Sequence, residues 1–491
     1  MGFIGRNGRG KTTFLNLLLG KHEYSGAIVS PVNFDYFPME VAHPSDNTID
    51  VIRKIIAPFD EIEAEMNELL LDGSPEAIDR YGCLLEEFTK LDGYIINELI
   101  EKELSKLDVT LDILNRPFNT LSNGETTKSL LCALFLKKNN FLLIDEPTDH
   151  LDYKGREIIA DYLSAKKSFI LVSHDRHFLD KVIDHVLVIN KTGLEVQKGN
   201  YSSWQLNKDM ADNYERQSNE KLKKDITRLN QSARRTKLWS DKIENSKIGE
   251  HTFDRGAVGA QSARMMKRAK SIEKRRLEAA SEKETLLRNI ETAEDLKLAF
   301  PAFHNSLFME GKDISIRYGE KVVSSGVNFK LEKGDRLAIR GANGSGKTSL
   351  IKLLLGQDIE HTGYFFRAAN LKISYVNQQT THLKGDLKTY AMQNNIDESL
   401  FKAVLRKLGM ERIQFEKNLE DFSQGQKKKV LIAGSLCEQA HLYIWDEPLN
   451  YIDIISRIQL EELILKYCPT FVFVEHDRAF NDRIATKILE L

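Results

Sequence analysis

A lysine and a hydroxyl residue closing a glycine-rich octapeptide make the side-chain set that grips a triphosphate, and this chain carries it twice. The two loops are Gly5-Arg6-Asn7-Gly8-Arg9-Gly10-Lys11-Thr12 and Gly341-Ala342-Asn343-Gly344-Ser345-Gly346-Lys347-Thr348. Each follows apolar residues, Phe3-Ile4 or Leu337-Ala338-Ile339, and each leads into a helical pattern, Thr13 to Leu19 or Ser349-Leu350-Ile351. Strand, glycine turn and helix start together point backbone N–H groups at an anion, and the lysine and hydroxyl complete a site for phosphate and a divalent cation. Gly5, Asn7, Gly8, Gly10, Lys11, Thr12 and Thr13 are thus one candidate nucleotide cradle. Gly341, Asn343, Gly344, Gly346, Lys347, Thr348 and Ser349 are the other.

The remaining parts recur in the same order. Asp145-Glu146 and Asp446-Glu447 end the apolar runs Leu142-Leu143-Ile144 and Tyr443-Ile444-Trp445, and His174 and His476 follow two further apolar runs. A strand-ending aspartate sits at the carboxyl edge of a parallel sheet, where it can hold a metal-bound water. The adjacent glutamate is placed to polarise an attacking water, and the histidine to reach a terminal phosphate. Taken singly, an Asp-Glu pair could merely cap a helix and a histidine could be a surface group; the ordered series favours chemistry. Ser122-Asn123-Gly124 and Ser423-Gln424-Gly425 each precede a helical stretch and offer a hydroxyl and N–H groups to an anion. A bare helix cap would show the same pattern.

These serine-x-glycine blocks, with the phosphate loops and histidines, resemble the ABC-type ATPase family. The resemblance implies an α/β chain with two P-loop ATPase domains that bind ATP and Mg²⁺ and hydrolyse ATP. It also implies that the signature serine and glycine of one domain close over the nucleotide of the other. One site then combines Lys11, Thr12, Asp145, Glu146 and His174 with Ser423 and Gly425. The second combines Lys347, Thr348, Asp446, Glu447 and His476 with Ser122 and Gly124. Mg²⁺ would be held through Thr12 and Asp145 in one site and Thr348, Asp446 and Gln378 in the other. Tyr318 stands where the family stacks adenine. The first half has only four residues before Gly5 and no counterpart of Tyr318, so by this resemblance the chain looks truncated or started at an internal Met1. Met39 faces the position of Gln378, and a thioether is a poor Mg²⁺ ligand, so unequal sites are expected.

Composition narrows the setting. The chain has 491 residues and a formal net charge of −2. Its four cysteines, Cys83, Cys132, Cys437 and Cys468, lie far apart with no C-x-x-C pair, which argues against a disulfide framework or zinc ribbon and fits a reducing cytoplasm. No run approaches the ~20 apolar residues of a membrane span.

The small net charge conceals two opposed segments. The interval from Walker A glycine to signature serine is 117 residues in the first half and 82 in the second. The excess falls around 59–112, where 16 acidic residues stand against four basic ones and Ile62, Met66, Leu69 and Leu70 keep helical spacing. Between Lys221 and Arg276 the balance is +11, densest at Arg234-Arg235-Thr236-Lys237 and Lys274-Arg275-Arg276. That stretch reads as two long helices joined by a loop at Asn245 to Gly259, a solvated linker or a surface for phosphate backbones. A partner containing both nucleic acid and basic protein suits the two charged segments.

The expected domains are therefore 1–204, with a helical arm at about 59–112, a basic helical linker at 205–300, and 301–491. Across its length this plan resembles the ABC-F ribosome-associated ATPases. Gly2 to Asn16 and Ala263-Arg264-Met265-Met266-Lys267-Arg268 resemble the antibiotic-resistance branch of that family, nearest to proteins protecting against lincosamides, streptogramin A and pleuromutilins. The resemblance implies binding at the ribosomal E site, with the linker reaching toward the P-site tRNA and rRNA of the peptidyl-transferase centre. The linker tip, roughly Trp239 to Val258, carries Trp239, Ile243, Ile248 and Phe253, which would touch bases or staple the two helices together. A housekeeping factor for stalled ribosomes is the nearest alternative. The ATPase subunit of an exporter is a more distant one, and a DNA-repair ATPase is disfavoured by the missing zinc-ligand cysteines.

Overall fold

The computed structural model describes residues 1–245 except 73, 139, 150 and 190–192, then 264, 267, 268, 270–272, 274, 275, 298 and 300–491. Two compact units are present, one made of Met1–Ser202 with Glu294–Leu491, the other of Ser203–Ala293.

The first unit is built on two sheets of the same design. Strands β1 (Gly2–Ile4), β2 (Asn33–Phe37), β3 (Asn140–Asp145), β4 (Phe169–Val172), β5 (His185–Ile189) and β6 (Leu194–Lys198) stand in the order β2-β3-β4-β1-β5-β6. All pairs are parallel except β5 with β6. In the second half an antiparallel group, β7 (Leu307–Tyr318), β8 (Lys321–Glu332) and β10 (His361–Arg367), lies beside a parallel sheet. That sheet contains β9 (Arg336–Arg340), β11 (Ile373–Val376), β12 (Leu442–Asp446), β13 (Thr470–Val474) and β14 (Lys487–Glu490), in the order β11-β12-β13-β9-β14. The order of the first five strands of one sheet is therefore repeated in the other.

Short continuous apolar runs form these strands because both faces are covered. All five residues of β12 and of β13 are buried, and Trp445 packs edge-on to Phe471 at 4.8 Å with its indole N–H on Ser435 Oγ at 2.9 Å. In each sheet the strand before the phosphate loop, β1 or β9, is flanked on both sides. The loop consequently emerges from the sheet's interior at its carboxyl edge, the crevice where α/β sheets bind ligands.

The two halves depart from each other in two places. The first inserts an arm of helices Phe59–Asp72 and Pro75–Lys90, clamped by buried Phe59, Ile62 and Met66 against Ala77, Leu84 and Phe88. Phe59 meets Phe88 edge-on at 5.8 Å, so an acid-rich segment is held by one apolar seam. The β7-β8-β10 group, in turn, has no counterpart among the described residues of the first half. The stretch matching β10 is solvent-exposed there, with Val29 93 % exposed.

In the second unit the helix Tyr201–Asn245 exposes Lys221, Lys223, Lys224, Arg228, Arg234 and Arg235. Arg264, Lys267, Arg268, Lys270, Lys274 and Arg275 are exposed as well. Ile248, Phe253, Arg276 and the side chains of Trp239 and Ile243 lie outside the described residues, as does the loop that would join two linker helices.

A buried charge cluster ties the helix Ile96–Lys106, which follows the arm, to the first sheet. Glu103 accepts from Tyr162 Oη at 2.7 Å, Lys106 Nζ at 2.6 Å and Lys166 Nζ at 2.6 Å. Burial alone would raise this carboxyl; the two lysines and the tyrosine more than offset it and bring it to about 2. A depressed carboxylate contributes stability that is present above its unfolded pKa and is lost as pH falls through the folded one. Glu103→Gln should therefore cost about 2–3 kcal/mol at pH 7, a gap that closes between pH 4.5 and 2 when followed by urea denaturation.

Candidate functional site

In the first half the phosphate loop runs from β1 into the helix Lys11–Leu18, with Gly8 at φ 79° and Gly10 at φ 87°. A side chain is strained in that left-handed region, so glycine permits the turn that aims the loop amides inward. Lys11 is buried and folds its ammonium over the loop, donating to Gly5 O at 2.7 Å, Asn7 Oδ1 at 3.3 Å and Arg6 O at 3.4 Å. Burial lowers its pKa, against the charge of Glu146, Asp453 and Asp145. Thr12 Oγ1 reaches Asp145 Oδ2 at 3.4 Å, and Tyr36 Oη donates to the same oxygen at 3.0 Å. Thr13 lies exposed on the next residue of the helix.

The second half repeats this construction. Gly344 and Gly346 take φ 83° and 94°, Lys347 Nζ donates to Gly341 O at 2.9 Å and Ala342 O at 2.8 Å, and Thr348 Oγ1 lies 3.5 Å from Asp446 Oδ2. Tyr318 Oη, at the end of β7, donates to Ser349 Oγ at 3.3 Å, and the residue is 49 % exposed. That leaves an aromatic face beside the loop.

Glu146 and Glu447 follow the last strand residue in a left-handed backbone, φ 49° and 47°. Their N–H groups still bond across the sheet, to Val172 O at 2.9 Å and Val474 O at 3.0 Å, so strand pairing holds both in a conformation that costs of order 1–3 kcal/mol. The carboxylates then differ. Glu447 Oε2 accepts from Gln378 Nε2 at 2.7 Å and Asn450 Nδ2 at 2.9 Å, and its Oε1 lies 3.7 Å from His476 Nε2. Burial pushes this carboxyl up, but His476, Asn450 and Lys347 prevail and hold it at about 2. Glu146 accepts the backbone N–H of His174 at 3.2 Å, with His174 Nε2 3.5 Å from its Oε1. Burial first, then Asp149 and Asp145, raises it well above the carboxylate range. Burial also depresses the imidazole of His174, and Lys11 adds to the effect.

Each signature block begins a helix. Ser122 caps Asn123–Leu136 and Ser423 caps Gln424–Cys437; each side chain accepts from the third helical N–H, and Glu125 or Gln426 answers on the serine N–H. Ser423-Gln424-Gly425 faces the first phosphate loop. Asn7 Nδ2 donates to Tyr451 O at 2.8 Å, and a Cβ on Gly425 would sit 2.4 Å from Tyr451 O and 3.0 Å from Asn7 Nδ2. The other signature block faces the second loop. Asn123, Leu151 and Arg156 line a cavity of about 390 Å³ together with Asn343, Gly344, Lys347, Thr348, Gln378, Glu447 and His476.

The chain matches the family model for the ABC transporter over residues 1–149 and 324–450. It belongs to that family. Both matched stretches are its ATP-binding domains, so this ABC protein binds and hydrolyses ATP. It is 29 % identical to the ribosome protection protein VmlR of Bacillus subtilis, over 78 % of this chain and 70 % of that one. It is 24 % identical to the ABC transporter F family member 2 of Arabidopsis thaliana, over all of this chain and 72 % of the relative. Such tandem-domain relatives place it among the ABC-F ATPases. The archaeal ribosome recycling factor aABCE1 superposes with a TM-score of 0.59 at 18 % identity, covering 100 % of this chain and 82 % of that structure, which is a likeness of fold. No described helix is long and apolar enough to cross a membrane.

Several site contacts escape a reading of the sequence. Arg156 pairs with Asp175 at 3.0 Å and Arg457 with Asp477 at 2.8 Å, one pair in each half. Between the halves, Arg176 pairs with the fully buried Glu461 and lies 3.8 Å from Asp477. The converse position is different: Arg478 donates to Tyr153 Oη at 2.8 Å, and Ala160 occupies the place of Glu461, eight residues beyond the capping aspartate. A recurring Asp-Arg after each histidine was the available signal. Breaking a buried pair from one side strands a charge and costs about 3–5 kcal/mol, whereas removing both partners is close to neutral. Glu461→Leu should lose that much in chemical denaturation, and Arg176→Met added to it should restore part of the loss, because Arg483, which also pairs with Glu461, is left to solvent.

Proposed function

We propose that this ABC-F ATPase acts on the ribosome in the cytoplasm and dislodges antibiotics from the peptidyl-transferase centre, giving resistance to lincosamides, streptogramin A and pleuromutilins. The observation that carries the ATPase half of this reading is the reciprocal apposition of each phosphate loop to the other half's signature helix. Two nucleotides in such seams would join the halves, and their hydrolysis would part them.

The residue assignments are as follows. Amides of both loops, with Lys11 and Lys347, hold the phosphates, and Ser122 with Gly124 and Ser423 with Gly425 cover them from the opposite half. Tyr318 offers its ring to adenine. Glu447 and Glu146 take the proton of the attacking water, while His476 and His174 keep the carboxylate and the terminal phosphate in register. The hydroxyl and carboxylate oxygens of Thr12 and Asp145, and of Thr348 and Asp446, with the amide oxygen of Gln378, are hard donors that suit Mg²⁺. Bound there, Mg²⁺ would neutralise phosphate charge. Met39 contributes no such oxygen to the first site.

Support for the ribosome comes from charge. The exposed basic residues of the second unit suit an rRNA or tRNA backbone, the acid-rich arm suits basic protein, and VmlR bears ribosome protection in its name. The E site is the position proposed, with the P-site tRNA and surrounding rRNA as the contacts; neither DNA nor a membrane enters the proposal.

In a susceptible host, expression should raise the inhibitory concentrations of a lincosamide, a streptogramin A and a pleuromutilin. A Glu146→Gln, Glu447→Gln double variant at matched expression should abolish the gain. No protection from a soluble parent would overturn the resistance role and leave the housekeeping one.

A further inference from the structure

The two glutamates sit on the same backbone turn but receive opposite hydrogen-bond chemistry from it. In the second half the residue three beyond the glutamate, Asn450, returns its side-chain amide to Glu447 Oε2 at 2.9 Å. Gln378 brings a second amide to the same oxygen at 2.7 Å. Two donors on one oxygen fix the plane of the carboxylate before any reaction begins, which is the condition for a proton acceptor to meet its water in one orientation.

Both donors are exchanged for non-donors in the first half. The sheet registers pair Phe37 with Ile144 and Val376 with Trp445, so Met39 and Gln378 occupy the same position beyond their strands. Methionine has no N–H to give. Asp149 occupies the place of Asn450, its N–H closing the turn on Glu146 O at 3.3 Å, and its carboxyl has no amide N–H to offer. Glu146 Oε1 is buried with no hydrogen-bond partner, and among the described residues Oε2 is met by the longer 3.2 Å contact from the His174 backbone. A second acid beside it repels the orientation that an amide would favour.

We propose that Asn450 is a positioning residue for Glu447, and that Asp149 in its place makes the Glu146 site the slow one, so that the two nucleotides are cleaved in order, the Glu447 site first. This rests on the reading of Glu146 and Glu447 as the groups that take the proton from water. Asn and Asp have the same shape, so the exchange can be made in either direction without altering packing volume.

The test is single-turnover hydrolysis of γ-labelled ATP by the full chain, with binding followed in parallel by a fluorescent ATP analogue. Two phases of similar amplitude are expected, at least about ten-fold apart in rate. Asn450→Asp should slow the fast phase about ten-fold at unchanged nucleotide affinity, and Asp149→Asn should accelerate the slow phase, further so with Met39→Gln. A merely structural role predicts no acceleration. A single phase in the parent, loss of binding in Asn450→Asp, or no change in either exchange overturns the proposal. Glu447→Gln separates the two levels: a fast phase that survives it overturns the assignment of Glu447 itself, whereas its loss with inert Asn450 and Asp149 exchanges overturns only the positioning role.

Discussion

The approach of Asn7 to the Tyr451 carbonyl, over a glycine that admits no Cβ, is the contact on which the arrangement of the two halves depends. A triphosphate carries more charge than one loop and one helix start can neutralise, and the complementary N–H groups belong to the other half. They can be delivered only where backbone meets backbone. A Cβ on Gly425 would stand 2.4 Å from Tyr451 O of its own half and 3.0 Å from Asn7 Nδ2 of the other, so glycine is what lets the loop approach this helix start. Asn343 is the counterpart of Asn7 in the second loop, and it lines the 390 Å³ cavity together with Asn123 of the other signature block.

Buried charge fixes this geometry further. Arg457 and Asp477 lie within the second half, yet Asp477 also stands 3.8 Å from Arg176 of the first, and Glu461 receives Arg176 and Arg483 together. Desolvated pairs of this kind add little net stability, but they penalise any other register heavily, because a shift would leave a carboxylate or guanidinium unmatched. They serve alignment more than adhesion. Since only Arg176 finds a glutamate and Arg478 finds a tyrosine hydroxyl, the junction is pinned more firmly on one side of its approximate two-fold.

Much of this was legible before any coordinates. Phosphate loops, strand-ending acids and histidines announce themselves because their chemistry demands fixed residue types at fixed spacing, and Phe141 to Ile144 or Thr470 to Val474 read as buried strands because both faces are covered. The equivalence of Met39 and Gln378 could be inferred from the repeat, and the sheet registers bear out the alignment. What the sequence conceals are pairings made by tertiary approach. Arg176 and Glu461 are 285 residues apart, and nothing local marks either as a partner. Tyr36 on Asp145 is similar: the tyrosine is conspicuous only once β2 is placed beside β3. Asn450 was within reach, since a residue three beyond a glutamate in a tight turn is a natural donor to it, but the motif draws attention to the acid and away from its neighbour.

The inequality of the sites extends to the helix starts that close them. Both signature serines make the same reciprocal cap, yet the answering residue is neutral Gln426 in one helix and anionic Glu125 in the other, the latter 3.6 Å from Arg116. Behind Gln426 come Lys427, Lys428 and Lys429, the last bound to buried Asp453 at 2.8 Å, where the other helix has Thr126, Thr127 and Lys128. The signature helix facing Lys11 therefore begins with more lysines than the one facing Lys347. A neutral answering residue at a helix start suits a nearby anion better than an anionic one does. The duplicated backbone is common to both halves; a handful of side chains, Asp149, Met39 and Gln426 among them, sets them apart.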